Sequence, residues 1–420
     1  MTLHPQCRPK GNQFYGNGDK CEIGLFTELE DNALVLTMLS YWHPEDLLTF
    51  GQTCKHAYVW SWFDELWKFY CIRDDIHIYR GSWRASWTNK LHSAGLNCMV
   101  YNDLIFDLYR YANTDLPQPS QLNMPTVHTG IPLDEFLKYE INGIPCIIKD
   151  GCSQWNATKH WSFEYLSDVC GDTLFQAEQI DLTIKEFSTY ALSSPRDEAP
   201  IYLFDKNFLS NVPELGDDFE CPEYFIDDLF QYLPARPDFR WLIVGPARSG
   251  STWHIDPNGT SAWNATIKGK KLWIMMPPNK SPPGIYPSAD GATVTTPLSL
   301  MDWYVNYRDH CDCIEGISEE GDVVFIPSGW WHMVINLEAS IAITQNYANR
   351  YNLRTVLKFL KCKTDQISGT EEENLYEKLL EVLDPIGIPK VQQILKEFKK
   401  KNTLNSAFME QRSFAFKFGQ

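Results

Sequence analysis

The chain lacks any stretch of about 18 uninterrupted apolar residues, the length a membrane-spanning helix requires, so a transmembrane class is not expected. Its first residues, MTLHPQCRPKGNQFYG, carry no apolar core of a signal peptide, and secretion is not expected either. There are 12 cysteines but no CxxC pair; Cys311-x-Cys313 stands alone. Without a secretory signal, such scattered cysteines read as reduced thiols of the nucleus or cytoplasm rather than a disulfide framework. Positive charge is scarce as well: 37 basic residues face 54 acidic ones, a formal net charge of −17. Binding a polyanion needs clustered Lys and Arg to neutralise phosphates, so direct contact with nucleic acid is not expected. Basic protein segments suit this balance better, although acidity also serves solubility alone. No internal repeat or low-complexity tract is present.

What the chain does have is size and apolar content. With 420 residues, 44% apolar and 14% aromatic, it has enough material for two or more domains with a real core. The most informative segment is TWHIDPNGTSAWNATIKGKKLW, Thr252 to Trp273, followed at a distance by GWWHMVINL around His332. On a strand, His254-x-Asp256 places both side chains on one face, because strand side chains alternate with period two. One imidazole nitrogen and one carboxylate oxygen can then reach a common metal. A third ligand is offered by His332, in GDVVFIPSGWWHMVINL, which reads as two apolar strands flanking a Pro-Ser-Gly turn. Two histidines and one carboxylate leave coordination positions open, as in non-haem Fe(II) oxygenases; closed structural zinc sites take four ligands and favour cysteine. Each piece alone also reads as an ordinary surface or core residue.

The surrounding text adds weight. After Asp256 come a polar strand, a turn at Gly269, and a second strand carrying Lys271 and ending in Pro277-Pro278. After His332 comes SIAITQNYA, a strand with Thr344 and Asn346 on one face and Gln345 on the other. In that order, HIDPNGTSAWNA, GKKLW, PSGWWH and IAITQN resemble the JmjC-domain 2-oxoglutarate oxygenases. Within them the likeness is to the protein-hydroxylase subgroup of the jumonji-domain lysyl hydroxylase and arginine demethylase once called the phosphatidylserine receptor. It extends upstream through PIYLFD, YFIDDLFQY and RWLIVGPARSGS, covering roughly residues 130–350, the size of one domain.

The resemblance implies Fe(II) on His254, Asp256 and His332, with O₂ and 2-oxoglutarate as co-substrates. It further implies that Lys271 pairs with the distal carboxylate of the oxo acid, helped by Thr344, Asn264, Ser251, Tyr202 and Asn346. A buried dicarboxylate does need a cation and hydroxyl or amide donors. Lys271 also has the plainer reading of a solvated strand-edge lysine, as Lys268 and Lys270 beside it. In KGKKLW the two-residue alternation sends Lys271 to the face opposite Lys270. The expected chemistry is decarboxylation of the oxo acid to succinate coupled to hydroxylation of a client C–H bond. The product is hydroxylysine, or, from an N-methyl group, formaldehyde and a demethylated amine.

A second informative region is residues 25–72. Leu34, Met38 and Leu39 fall at helical spacing, His43-Pro44 opens a short loop, and Glu45-Asp46 precede a second helix with Leu47, Leu48 and Phe50. A further helix carries Tyr58, and Leu66-Trp67 close the unit. The joint pattern of SYW, DLL, CK and LWK resembles an F-box, which implies docking on a Skp1-type adaptor of a cullin ubiquitin ligase. A plain helical core is the other reading. Taken as a module, this unit predicts that removing residues 25–72 costs Skp1 binding and leaves oxo-acid turnover intact.

The expected organisation is a leader (1–24), an F-box-like helical domain (25–72), a connector (73–125), a JmjC domain (126–350) and a helical extension (351–420). Within the fourth of these, GIPLDEFLKYEINGIPCIIKD reads as a helix followed by an apolar strand. The Pro- and Gly-rich stretch between Pro277 and Asp312 reads as a lid beside the site or an inert surface loop. In the extension, Leu375, Leu379, Leu380 and Leu383 form a stripe that caps the barrel or makes a dimer. The fold class is α+β: a double-stranded β-helix of the jelly-roll, cupin-like kind, with helices at both ends. The expected activity is that of an Fe(II)- and 2-oxoglutarate-dependent hydroxylase or demethylase of a basic, histone-like protein client. The competing classes are a non-catalytic F-box adaptor that uses the barrel to grip its client, and a cupin-like small-molecule enzyme.

Overall fold

A computed structural model describes residues 37–89, 110–119, 122–195 and 197–398. The leader, Leu34 and part of the connector lie outside the described residues.

The N-terminal part is helical: α1 (Pro44–Phe50), α2 (Lys55–Ser61), α3 (Asp64–Arg73) and α4 (Trp83–Thr88). His43-Pro44 does not open a loop. His43 is the residue before the helix and Pro44 is its first residue, where a missing N–H costs nothing and the fixed φ favours the turn. Cys54 caps α2 by accepting the N–H of Ala57.

Fifteen strands follow. They are β1 (Thr126–His128), β2 (Cys146–Lys149), β3 (Leu174–Ala177), β4 (Ile180–Thr183), β5 (Leu203–Asp205), β6 (Arg240–Gly245), β7 (Gly250–His254) and β8 (Ser261–Lys268). Then come β9 (Lys271–Met276), β10 (Tyr286–Pro287), β11 (Val294–Thr295), β12 (Ile314–Ser318), β13 (Val323–Ile326), β14 (Trp331–Asn336) and β15 (Ser340–Tyr347). A nine-stranded sheet runs β1-β2-β13-β8-β15-β6-β5-β3-β4 and a four-stranded sheet runs β12-β9-β14-β7. All pairings in the two sheets are antiparallel except β1 with β2. The two sheets face each other across Ala262, Val324 and Ile326 of the larger and Trp273, Met275 and Val334 of the smaller, as expected for a jelly roll. The expected helix and strand around residue 140 are present, as Leu133–Asn142 and β2.

The turn at Gly269 is where the chain changes sheets, from β8 to β9. Its φ of +80° is left-handed, and a Cβ there would run into the Ala339 carbonyl, so only glycine fits.

The central strands are covered on both sides, which is why they read as nearly continuous apolar runs. The outer face of the larger sheet packs Trp263, Ile267, Leu242, Val244, Ile341 and Ile343 into one core with the helices, α3 and α4 included. The outer face of the smaller sheet packs under the helix Leu300–Tyr307, with Trp303 edge-on to Trp253 at 5.0 Å. That helix lies in the stretch read as a lid or inert loop. It is neither: its Trp303 is anchored in the core, and its Nε1 donates to the Pro283 carbonyl.

The C-terminal stripe caps the barrel from within the chain. Leu375, Leu379 and Leu383 are fully buried against Leu229, Phe230, Leu353, Val356 and Leu360. Each such side chain contributes about 1.5–3 kcal/mol, which is enough to hold the helix in place. The helix Leu353–Cys362, at the start of the expected helical extension, belongs to the same core. The Cys311 and Cys313 side chains lie side by side, while the other described cysteines are free. Among the described residues no helix is long and apolar enough to cross a membrane.

Candidate metal centre and co-substrate cavity

The polar residues embedded in these apolar strands fall on the inner face. On β9, Lys271 shares parity with Trp273 and Met275; on β14, His332 and Asn336 share it with Val334; on β8, Asn264 shares it with Ala262. On β15, Thr344 and Asn346 face inward, whereas Gln345 faces outward and accepts two bonds from Arg240. The alternation expected in KGKKLW holds: Lys271 is fully buried, while Lys270 is exposed and ion-paired with Glu319.

The antiparallel register of β14 with β7 sets His332 directly opposite His254, with their ring centroids 4.1 Å apart. Asp256 lies just past the end of β7 rather than on it, at the entrance to the single turn Pro257–Gly259. Its extended backbone (φ −58°, ψ 143°) keeps the same-face relation that strand geometry predicts. The C-terminal helix Leu353–Cys362 backs this turn, and the Asn258 side chain exchanges hydrogen bonds with the Ser368 backbone.

One ligand atom from each of His254, Asp256 and His332 lies within 4.8 Å of the others. In each histidine Nδ1 lies on a backbone carbonyl, Thr252 at 2.7 Å and Trp330 at 3.1 Å. An Nδ1–H that donates to a carbonyl leaves Nε2 as the free lone pair, the form in which imidazole binds a metal. Asp256 Oδ2 is buried without a hydrogen-bond partner. Burial pushes the Asp256 carboxyl up to about 6, with His254 and Asn346 pulling the other way. Burial, and then the neighbouring His254, lowers His332 well below the usual imidazole value. Such a donor set suits a divalent cation with open positions.

The three residues line a cavity of about 260 Å³ that also holds all six expected co-substrate residues: Lys271, Thr344, Asn264, Ser251, Tyr202 and Asn346. Lys271 Nζ donates to Tyr202 Oη at 3.0 Å and to Asn336 Oδ1 at 2.9 Å. An ammonium has three protons, and these two neutral partners leave one for a ligand. Burial alone lowers Lys271 to about 7, a cost that an incoming carboxylate would offset. Asn264 Oδ1 is also buried without a partner. The Thr344 hydroxyl donates to the Trp263 carbonyl, so it must turn to serve a carboxylate.

Asn336 was not singled out by sequence reasoning. It is fully buried, accepts from Lys271, and its Nδ2 donates to Ser249 Oγ at 2.9 Å. Its signal was available: a polar residue four positions after His332 in an apolar strand, hence on the same face. Phe204, Trp241, Ile243, Trp273, Ile326 and Val334 supply the apolar walls and were not anticipated. A larger cleft of about 650 Å³, lined by Asp150, Ser153, Glu220 and Glu223, contains none of these converging groups.

A jelly-roll barrel with an open His-Asp-His face beside a buried lysine defines the class of mononuclear metal oxygenases. A family profile for the cupin-like domain matches residues 173–353. The chain is 36% identical over 418 residues to the arginine-specific demethylase JMJ22 of Arabidopsis thaliana, spanning 93% of this chain and 83% of the relative. It is 35% identical over 275 residues to the bifunctional arginine demethylase and lysyl-hydroxylase psr-1 of Caenorhabditis briggsae, spanning 60% of this chain and 68% of that one. Human 2-oxoglutarate and iron-dependent oxygenase JMJD4 is 28% identical over 266 residues, 55% of this chain and 61% of its own. The chain belongs to the cupin-like JmjC family of 2-oxoglutarate- and iron-dependent oxygenases.

Proposed function

We propose that this chain is an Fe(II)- and 2-oxoglutarate-dependent dioxygenase that hydroxylates a basic side chain of a protein client. Lysine is the first candidate, and an N-methyl group of arginine or lysine the second. The observation that carries the reading is the convergence of His254, Asp256 and His332 on the cavity that buries Lys271. The relatives' names, arginine demethylase and lysyl-hydroxylase, support both client chemistries. The net charge of −17 favours a basic client.

Bound ferrous iron supplies O₂ activation coupled to decarboxylation of the oxo acid, which yields succinate, CO₂ and one oxygen atom inserted into a client C–H bond. His254, Asp256 and His332 hold the metal from one side. Lys271, steadied by Tyr202 and Asn336, pairs with the distal carboxylate of 2-oxoglutarate; Asn264, Ser251, Thr344 and Asn346 complete the polar lining. Trp273, Ile243, Ile326 and Val334 keep bulk water from the co-substrate.

The test is a library of lysine, methyl-lysine and methyl-arginine peptides incubated with the full chain, Fe(II) and 2-oxoglutarate, then read by mass spectrometry. The expected result is a gain of one oxygen on lysine, or loss of a methyl with formaldehyde release. Neither change above the His254→Ala background would overturn the reading in favour of a non-catalytic client receptor.

For the N-terminal helices, the Skp1-type adaptor is the proposed partner. Supporting it are the exposed Met38 and Phe69, each on a helix, and the exposed Tyr41 in the turn before α1. Skp1 is expected to co-purify with the full chain and to be lost on Tyr41→Glu; failure to co-purify removes the F-box reading.

A further inference from the structure

The segment 197–202, which delivers Tyr202 to the cavity, is held in part by groups from the N-terminal helices. Lys68 of α3 is only 6% exposed although it is a lysine. Its Nζ donates to the Ala199 carbonyl at 2.8 Å and pairs with Glu178 Oε2 at 3.1 Å. Glu178 sits at the tip of the β3–β4 hairpin with a left-handed φ of 56°, and its other oxygen accepts the backbone N–H of Tyr202 at 3.2 Å. From α4, Trp83 Nε1 donates to Asp197 Oδ2. Tyr190 closes the clamp: its Oη donates to that same Asp197 oxygen and accepts the N–H of Ile201. Four residues of the segment are therefore fixed on their backbone or side chain just before the chain turns into β5. At its far end the Tyr202 phenol accepts from Lys271.

Lys68, Trp83, Tyr190 and Asp197 are buried, beside the core that α3 and α4 share with the large sheet, whereas Glu178 stands at the exposed rim. A left-handed non-glycine backbone at Glu178 persists only where its surroundings over-determine it. Burial works against the Lys68 charge, yet Glu65, Glu178 and Asp197 together hold its pKa above the ordinary value.

We infer that Lys68 and Trp83 are positioning residues for the co-substrate cavity, acting through Glu178, Asp197 and the Tyr202 backbone, so that the N-terminal helices are part of the oxygenase and not a detachable module. On this inference, removing residues 25–72 is expected to raise KM for 2-oxoglutarate, against the expectation that turnover stays intact. It rests on the reading that Lys271 and Tyr202 bind 2-oxoglutarate.

The experiment compares the full chain with Lys68→Met, Trp83→Phe, Tyr202→Phe, Lys271→Met and the pair Lys68→Met/Tyr202→Phe, measuring KM for 2-oxoglutarate, kcat and the Kd for Fe(II). Trp83→Phe keeps an aromatic ring against Tyr190 while it removes the hydrogen bond and part of the indole volume, so it reports even if Lys68→Met folds poorly. Expected are rises in KM of about tenfold for Lys68→Met and about threefold for Trp83→Phe, within the usual reach of coupling through a packed network. The Fe(II) Kd is expected to be unchanged. In the Tyr202→Phe background the Lys68→Met effect should shrink, since the two act through one contact. KM values within twofold of the parent for both Lys68→Met and Trp83→Phe, or an undiminished Lys68 effect without the phenol, would overturn the inference. An unchanged KM in Lys271→Met would instead remove the reading beneath it, and the inference with it.

Discussion

Asp256→Ala is expected to abolish 2-oxoglutarate-dependent succinate formation, by at least about 10³-fold relative to the parent chain, and His254→Ala or His332→Ala to do the same. The chemistry requires the metal, and only these three side chains among the described residues converge as a possible metal-binding group. Losing the sole carboxylate removes the negative charge that offsets a divalent cation in a buried site. The substitution removes the hydrogen bond with Asn346, but Oδ2 is buried without a partner, so the fold is expected to survive with a modest loss of stability. Circular dichroism and succinate release, measured on the same samples, separate the two effects. Turnover persisting in Asp256→Ala would place the metal elsewhere.

The second large effect is at Lys271. Methionine there keeps the apolar stem and deletes the ammonium. Hydrogen bonds to charged groups are worth about 1.5–3 kcal/mol, so the Kd for 2-oxoglutarate is expected to rise between about tenfold and about 150-fold. The pH dependence follows from the lowered value of about 7, caused by burial. In the ligand-free fold Lys271 is charged below about pH 7 and neutral above it, whereas the unfolded chain keeps this proton to about pH 10.4. Between those limits the unfolded state binds more protons, so this group makes the ligand-free fold more stable as pH rises. The dicarboxylate, however, needs the charged form. Its affinity is therefore expected to fall by about tenfold per unit above pH 7 until the complex itself loses the proton, with no such slope in Lys271→Met. Isothermal titration from pH 6.5 to 9 reads this directly: a flat parent profile would show that Lys271 keeps its proton in the ligand-free fold, and an unchanged Kd in Lys271→Met that it does not meet the carboxylate. Asn336→Asp should also weaken binding, because a carboxylate built into the protein would already satisfy the lysine.

The three candidate metal ligands were legible from their residue types and spacing, and the six polar cavity residues from the family resemblance, with which the strand parity of Lys271, Thr344 and Asn346 agrees. In a strand covered on both faces a His, Lys or Asn is conspicuous, and parity tells which way it points. Asn336 carried the same signal and was overlooked because it lay between two apolar residues in a segment read for His332 alone. Asp256 was placed on a strand that in fact ends at His254. The local pattern does not mark where pairing with β14 stops. The helix Leu300–Tyr307 was hidden inside a Pro- and Gly-rich stretch, and only the packing of Trp303 on Trp253 reveals why it forms there. Least legible was the clamp on residues 197–202. Lys68 reads as a surface lysine of an amphipathic helix, and its burial depends on Glu178, 110 positions later in the chain, which no local pattern connects to it.

The most direct test of the central claim is the anomalous difference map of crystals grown with Mn(II) in place of Fe(II), and with 2-oxoglutarate. The account predicts a single peak bound by His254, Asp256 and His332 with no fourth protein ligand, and the distal carboxylate of the oxo acid on Lys271. A peak elsewhere, or a fourth side chain closing the coordination sphere, would contradict it.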